Sequence, residues 1–161
     1  MKGRAALGDS KGPRLVFINR QRRVGIPMDW MKCFSQTALR RSLEHSGDGL
    51  FALRSLEEVI VTVVSDRKIA AIHADFMGIP TATDVITFQH GDIVVSADTA
   101  QRSAQEFGHG LSEELGLYVV HGFLHLNGFT DEEPSERERM HRVQDRVWME
   151  SIRELPLRAE R

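Results

Sequence analysis

His121 and His125 lie four residues apart in the stretch HGFLHLNGFTD, residues 121–131, with Gly128 and Asp131 following them. On an α-helix, residues i and i+4 project from one face, about 40° apart, so both imidazoles can reach a single ion. Gly128 can take the left-handed conformation that ends a helix. The chain then turns back and brings Asp131 to the same point. Two neutral imidazoles and one carboxylate are a zinc set that leaves a fourth position open for water. The helix itself, LYVVHGFLHL, is almost wholly apolar, and imidazoles buried there without partners would be costly. A cation removes that cost. We therefore expect one zinc ion on His121, His125 and Asp131. His45, His73, His90 and His109 lack such company in the sequence; His141, in the next helix, is the alternative third ligand and ranks below Asp131.

The spacing H-x-x-x-H-x-x-G-x-x-D overlays that of zinc proteases, which carry a general-base glutamate directly after the first histidine. Here that position is Gly122. Glycine moves no proton, so peptide hydrolysis by that route is not expected. A metal can still lower the pKa of a bound water to roughly 7 and polarise a phosphoryl oxygen, which leaves phosphodiester cleavage open. No catalytic group beyond that water is evident.

Periodicity and punctuation along the chain give the strands and helices that carry these residues. RLVFIN (14–19) reads as a strand, and Asp29 as the cap of a helix from about Trp30 to His45. EEVIVTVVS (57–65) is continuous and β-branched, as for a strand covered on both faces. Asp66 reads as the cap of a short helix through Ile69, Ile72, His73 and Phe76. MGIPTAT (77–83) is a loop. DVITFQ (84–89) and DIVVSA (92–97) form a hairpin through His90 and Gly91. Asp98 opens a helix to about Phe107, and Ser112 with Glu113 begins the histidine helix. Ser135 with Glu138, after Pro134, reads as a capping box for a last helix with Met140, Val143, Val147 and either Trp148 or Met149 inward. The order β-α-β-α-β-β-α-α-α implies an α+β fold: a small mixed sheet of four strands packed by helices, with the metal site on a helix. Residues 1–13 and 156–161 are expected to be tails around one domain at 14–155.

The 161 residues are 41% apolar and 27% charged with a net charge of −2, which fits one globular domain without a general attraction to nucleic acid. Of the 21 basic residues, 17 are arginine. They cluster at Arg20, Arg22 and Arg23, at Arg40 and Arg41, and from Arg137 to Arg146, as expected for solvated helix faces paired with glutamate. Cys33 is the only cysteine. With no apolar stretch of signal or membrane-spanning length, a reducing, cytoplasmic setting is expected.

VVHGFLHLNGFTD resembles the signature of the YbeY family of bacterial rRNA maturation factors, whose pattern is His-Gly-x-Leu-His-Leu-x-Gly-Tyr-Asp-His. TATDVITF (81–88) resembles the family's Thr-Asp-Val-Leu-Ser-Phe, and GDIVVSADTA (91–100) resembles the family's next strand and helix start. The similarity runs from about Leu15 to Ile152. It implies a zinc-dependent, single-strand-specific endoribonuclease acting in small-subunit rRNA 3′-end maturation and ribosome quality control. The implied partners are single-stranded rRNA, the small ribosomal subunit or a ribosomal protein. His121 and His125 match the first two zinc ligands; Asp131 stands where the family usually has a third histidine, adding a negative charge that makes bound water less acidic. Thr83 and Asp84 match positions bordering the cleft. Met77 stands where the family usually has an arginine that engages RNA phosphate, and methionine offers no such fork. Arg67 or Lys68, one helix earlier, would have to supply the charge, or cleavage is weak. The alternative is a non-catalytic ribosome-assembly factor that binds RNA or a ribosomal protein around a structural zinc.

Overall fold

The β-branched runs make the sheet. In the computed structural model, which describes residues 12–155, the strands are Arg14–Asn19 (β1), Glu58–Val64 (β2), Val85–Thr87 (β3) and Asp92–Ser96 (β4). Their order is β1-β2-β4-β3. The first three in that order run parallel, and β3 lies antiparallel on the β4 edge. Gly91 closes the β3–β4 hairpin at a φ of 114°, a left-handed conformation that favours glycine. The helices are Met28–Ser42 (α1), Asp66–Met77 (α2), Ala97–Phe107 (α3), Leu111–Leu126 (α4) and Pro134–Glu154 (α5). The α+β class, the mixed four-stranded sheet and the order of elements are as expected. A 3-10 turn at Leu53–Ser55 is additional, and the expected tails fall almost wholly on residues 1–11 and 156–161, outside the described residues.

Alternation along the strands sorts the side chains. Phe17, Val59, Val61, Val63, Ile93 and Val95 are buried in the main core with α1 and α4, and α5 packs across both helices. Val64, Ile69, Ile86 and Val94 form a smaller cluster on the opposite face, under α2. That second face is only partly covered: Ile60 and Thr62 of β2 are half-buried, because a single 12-residue helix cannot roof the sheet. The expectation of full cover on both sides of β2 is corrected accordingly. On α5, Met140 and Val147 are buried and Trp148 packs against the core, while Met149 is 48% exposed.

The helix caps also differ from the expected ones. α1 starts after Pro27 with no side-chain cap, and Asp29 lies inside its first turn. It ends at Ser42, three residues before His45. α4 begins at Leu111, ahead of Ser112. No capping box forms at Ser135; Pro134 opens α5 instead, where its missing N–H is no loss. Ser65 caps α2 by accepting the Lys68 N–H at 3.2 Å, and Ser96 caps α3 by accepting the Thr99 N–H at 3.2 Å. The serine one or two places earlier takes the cap, which frees Asp66 and Asp98 to tie the two helices together. The Asp66 N–H donates to Asp98 Oδ2 at 2.8 Å. Asp66 Oδ1 accepts the Ser96 hydroxyl at 2.5 Å and the Thr99 hydroxyl at 2.7 Å, and Oδ2 pairs with Arg102 at 2.7 Å.

Burial pushes the Asp66 carboxyl upward, but the Ser96 and Thr99 hydroxyls and the Arg102 guanidinium outweigh it and hold it below its ordinary 3.8. A depressed carboxylate adds stability that is fully present above the ordinary value and is lost as pH falls through the folded one. Asp66→Asn should therefore cost about 1–2 kcal/mol at neutral pH, read by urea unfolding. The gap to the native protein should shrink as pH drops below 3.8; a gap that does not change with pH would refute this account.

Candidate metal centre

α4 is apolar on nearly every side and lies at the centre of the molecule, against α1, α3, α5 and the sheet. Gly122 is buried, and a Cβ there would meet Ile93 Cδ1 at 2.7 Å, so α4 approaches β4 this closely only without a side chain at that position. A larger residue at 122 would press into the sheet packing. The missing protease glutamate thus has a packing reason as well as a chemical consequence.

α4 ends in a Schellman turn. The Gly128 N–H bonds His125 O at 3.3 Å and the Phe129 N–H bonds Leu124 O at 3.0 Å, with Gly128 at a φ of 90°. This single turn sets the site. It points the Phe129 carbonyl at His125, whose Nδ1–H donates to it at 3.1 Å, and two residues later it delivers Asp131. On the other side, His121 Nδ1–H donates to Gln144 Oε1 of α5 at 2.8 Å. With both Nδ1 atoms acting as donors, both Nε2 atoms are left as acceptors, and they face each other at 3.0 Å. Asp131 Oδ2 lies 3.5 Å from His121 Nε2 and 3.6 Å from His125 Nε2.

The three sides of this triangle bracket the ~3.3 Å between ligands bound tetrahedrally about 2.0–2.1 Å from zinc. With both rings neutral, three electron-rich atoms converge, an arrangement that fits a divalent cation. His121, His125 and Asp131 are the residues that would hold it, and Gln144 and the Phe129 carbonyl orient the rings. Burial and then the neighbouring His125 push the His121 pKa down, against upward pulls from Gln144, Asp131 and Asp84, which favours the neutral imidazole that a metal would need.

The triad opens into a cavity of about 510 Å³. Asp84 and Met77 line it, as do Phe51, Phe129 and Glu132, none of which the sequence singled out. Thr83 does not line it; its hydroxyl donates to Asp84 Oδ1 at 3.2 Å, an oxygen that also accepts the Val85 N–H at 2.8 Å. Arg67 and Lys68, expected to bring charge to the cleft, are not among its lining residues; Lys68 lines a groove beside α2 with Phe76 and Phe88. Among the described residues no arginine or lysine lines the metal cleft. The other arginine clusters largely behave as expected for charged helix faces: Arg40 and Arg41 pair with Glu154, Arg142 with Glu138 and Arg146 with Glu150. His141 is exposed and outside the triad. His45 does have neighbours, with ligand atoms of Glu44 and Glu150 within 4.8 Å, but those carboxylates already engage Arg41 and Arg146.

Gln144 and Asn127 escaped the sequence because their partners are distant in the chain. Asn127 is buried and clamps the end of α4: its Oδ1 accepts the Leu53 N–H at 3.0 Å, and its amide donates to Ser42 O at 3.1 Å and to His45 O.

The fold and the triad define an α+β protein with a two-histidine, one-carboxylate candidate metal centre at the end of a buried helix. Residues 17–151 match the family model described as Endoribonuclease YbeY, and the chain belongs to the YbeY family. Relatives carrying that same description include one from Heliobacterium modesticaldum, 32% identical over 111 residues (56% of this chain, 67% of the relative). One from Bacillus velezensis is 38% identical over 102 residues (52% and 65%), and one from Anaeromyxobacter is 36% identical over 118 residues (66% and 62%). The matches thus span about two thirds of those relatives' lengths. A solution structure from Thermotoga maritima shares the fold with a TM-score of 0.56 at 22% identity, over 91% of this chain and 99% of that one.

Replacing Gln144 with leucine keeps bulk but removes the acceptor that fixes the His121 ring. Zinc affinity, measured by competition with a chromophoric chelator, should fall roughly 10–100-fold with little change in melting temperature. Unchanged affinity would remove Gln144 from the centre.

Proposed function

We propose that this chain is a divalent-metal-dependent endoribonuclease that cuts single-stranded RNA in rRNA maturation, with one zinc ion as the metal and the small ribosomal subunit as the setting. The observation that carries the reading is the convergence of His121 Nε2, His125 Nε2 and Asp131 Oδ2 within 3.0–3.6 Å of one another, in the lining of a cavity of about 510 Å³. Family membership supplies the reaction class, since the matching relatives are described as endoribonucleases. A bound divalent ion supplies Lewis-acid activation of water and neutralises charge at phosphorus.

The chain's own residues do the rest. His121, His125 and Asp131 fix the ion, and Gln144 and Phe129 O keep both imidazoles in the ligating tautomer. Asp84 is a carboxylate that lines the same cleft as the triad but lies outside it. We assign it the role of accepting a proton from the attacking water. Phe51 and Met77, 43% and 52% exposed, give the cleft apolar walls against which a splayed base can pack. Ribosome quality control and a cytoplasmic location belong to the same reading. No helix among the described residues is long and apolar enough to cross a membrane.

A second reading, an assembly factor that binds RNA or a ribosomal protein around a structural zinc, is favoured by one observation. The cleft holds Asp84, Asp131 and Glu132 and, among the described residues, no arginine or lysine, so three negative charges would face the two positive charges of an ion. Met77 is where a cation would stand to correct this.

Purified protein with a labelled single-stranded RNA separates the two. In the nuclease reading cleavage requires zinc, stops with a chelator and falls to background in His125→Ala and in Asp131→Ala, while circular dichroism shows an intact fold. Met77→Arg should raise the rate roughly tenfold or more by giving the phosphate a bidentate partner. Binding of immature small subunits without zinc-dependent cleavage, in both native protein and Met77→Arg, would establish the assembly-factor reading instead.

A further inference from the structure

A polyanion drawn to a cleft without cations needs its phosphates held elsewhere, and the face of the sheet turned away from α4 offers a place. α2 roofs only part of that face. Beside it runs a groove of about 400 Å³ whose walls include Ile72 and Phe76 of α2 and Phe88 and His90 of the β3–β4 hairpin. Three rings line up there. Phe76 stands edge-on to Phe88 at 5.0 Å between centroids, and His90 lies near-parallel to Phe88 at 5.7 Å. Phe76 is 69% exposed, an unusual position for a phenylalanine that is also in contact with a core-packed ring.

The charge in the groove is unbalanced toward the positive. Arg20 and Lys68 line it and are exposed, and among the described residues neither side chain has an ion pair. Its one carboxylate, Asp92, is engaged by His90 Nε2 at 2.6 Å. Exposed aromatic faces flanked by uncommitted cations are the surface that single-stranded nucleic acid recognises: bases stack on rings and phosphates meet the cations, without reading sequence. A protein segment would need acidic groups at matching positions to use the two cations, whereas every nucleotide brings its own phosphate.

The groove also connects with the metal cleft. All of β3, Val85 to Thr87, lines the cleft, and at the hairpin tip the side chains divide: Gln89 lines the cleft while Phe88 and His90 line the groove. At the end of α2, consecutive residues divide in the same way, Phe76 to the groove and Met77 to the cleft. Only the edge strand β3 and the end of α2 separate the two.

We propose that this groove is a second binding site for the RNA strand, in which Phe76 stacks on a base and Arg20 and Lys68 hold phosphates, so that the strand passes over the β3 edge into the metal cleft. This rests on RNA being the substrate, but the groove is tested by binding alone. The probe is a fluorescent oligouridylate, measured by anisotropy in His125→Ala protein with chelator present so that nothing is cut. Phe76→Ala should weaken binding about tenfold or more. Arg20→Gln with Lys68→Gln should weaken it and reduce the slope of log affinity against log salt by about one to two. Met149→Ala, at an exposed position on α5, should bind like the parent. Phe76 contributes little to the core, and the charge variants leave every apolar contact in place, so thermal melting should separate loss of binding from loss of fold. If the groove variants bind RNA as the parent does, the proposal is overturned, and it is equally overturned if they instead lose only a ribosomal protein. Should the native protein bind RNA through this groove yet never cleave it, the nuclease reading fails and the groove stands.

Discussion

Two imidazole nitrogens that both carry lone pairs do not rest 3.0 Å apart without something positive between or beside them. The other features of the site answer to that repulsion. Each ring is committed on its far side, His125 to a backbone carbonyl and His121 to an amide oxygen, so neither can turn away to relieve it without losing a hydrogen bond. A carboxylate arriving at 3.5–3.6 Å completes a set of acceptors that has no donor. Polar groups gathered in this way are costly unless a cation satisfies all of them together. The fold holds these three groups where a divalent ion would satisfy all of them together.

The device depends on α4 being held from every side. Its apolar surface places it beneath the sheet, Gly122 lets it lie against Ile93, and the turn at Gly128 is fastened from outside by the Gly49 N–H on Gly128 O at 2.9 Å and the Gly47 N–H on Asn127 O at 3.0 Å. Arg139 reaches over from α5 to stack on Phe129 at 5.4 Å and pair with Asp48 at 2.9 Å. The loop at 46–51 is thereby stitched to the turn that carries two of the site's groups. Packing far from the ligands and coordination at the ligands are one mechanical unit.

Most of the fold was legible because hydrophobic periodicity is local: each strand and helix announced itself within its own residues. The convergence of His121, His125 and Asp131 was legible for the same reason, since i, i+4 spacing, a glycine and an aspartate fall within 11 consecutive residues. The caps were misread at Asp66 and Asp98, where the preceding serines, Ser65 and Ser96, took the role and the aspartates were drawn into a contact between α2 and α3. That contact spans 32 residues and leaves no trace in either segment alone. Gln144 and Asn127 were invisible on the same ground, because a glutamine on an amphipathic helix and an asparagine before a glycine have ordinary explanations until the partner is known. The placement of Lys68 was beyond a one-dimensional reading too: a helix over a sheet edge has two sides, and only the sheet order decides which of them faces the metal.

Met77 shows how these levels meet. A cation there would sit in the cleft, close to the ion, where it would meet phosphate and lower the cost of bringing a polyanion beside Asp84 and Glu132. With methionine in its place, the cleft is lined by no arginine or lysine among the described residues, and a divalent ion held by Asp131 as well as by the two histidines would keep only half of its net charge. Coulomb attraction between exposed groups fades over about 8 Å at physiological salt, so cations on the far side of a sheet cannot compensate by field alone. They can do so only through a strand that touches both places. The tip of the β3–β4 hairpin, where Thr87 and Gln89 line the cleft and Phe88 and His90 line the groove, is where such a strand would cross, and so a cleft without arginine or lysine among the described residues gives physical weight to rings and charges on the other side.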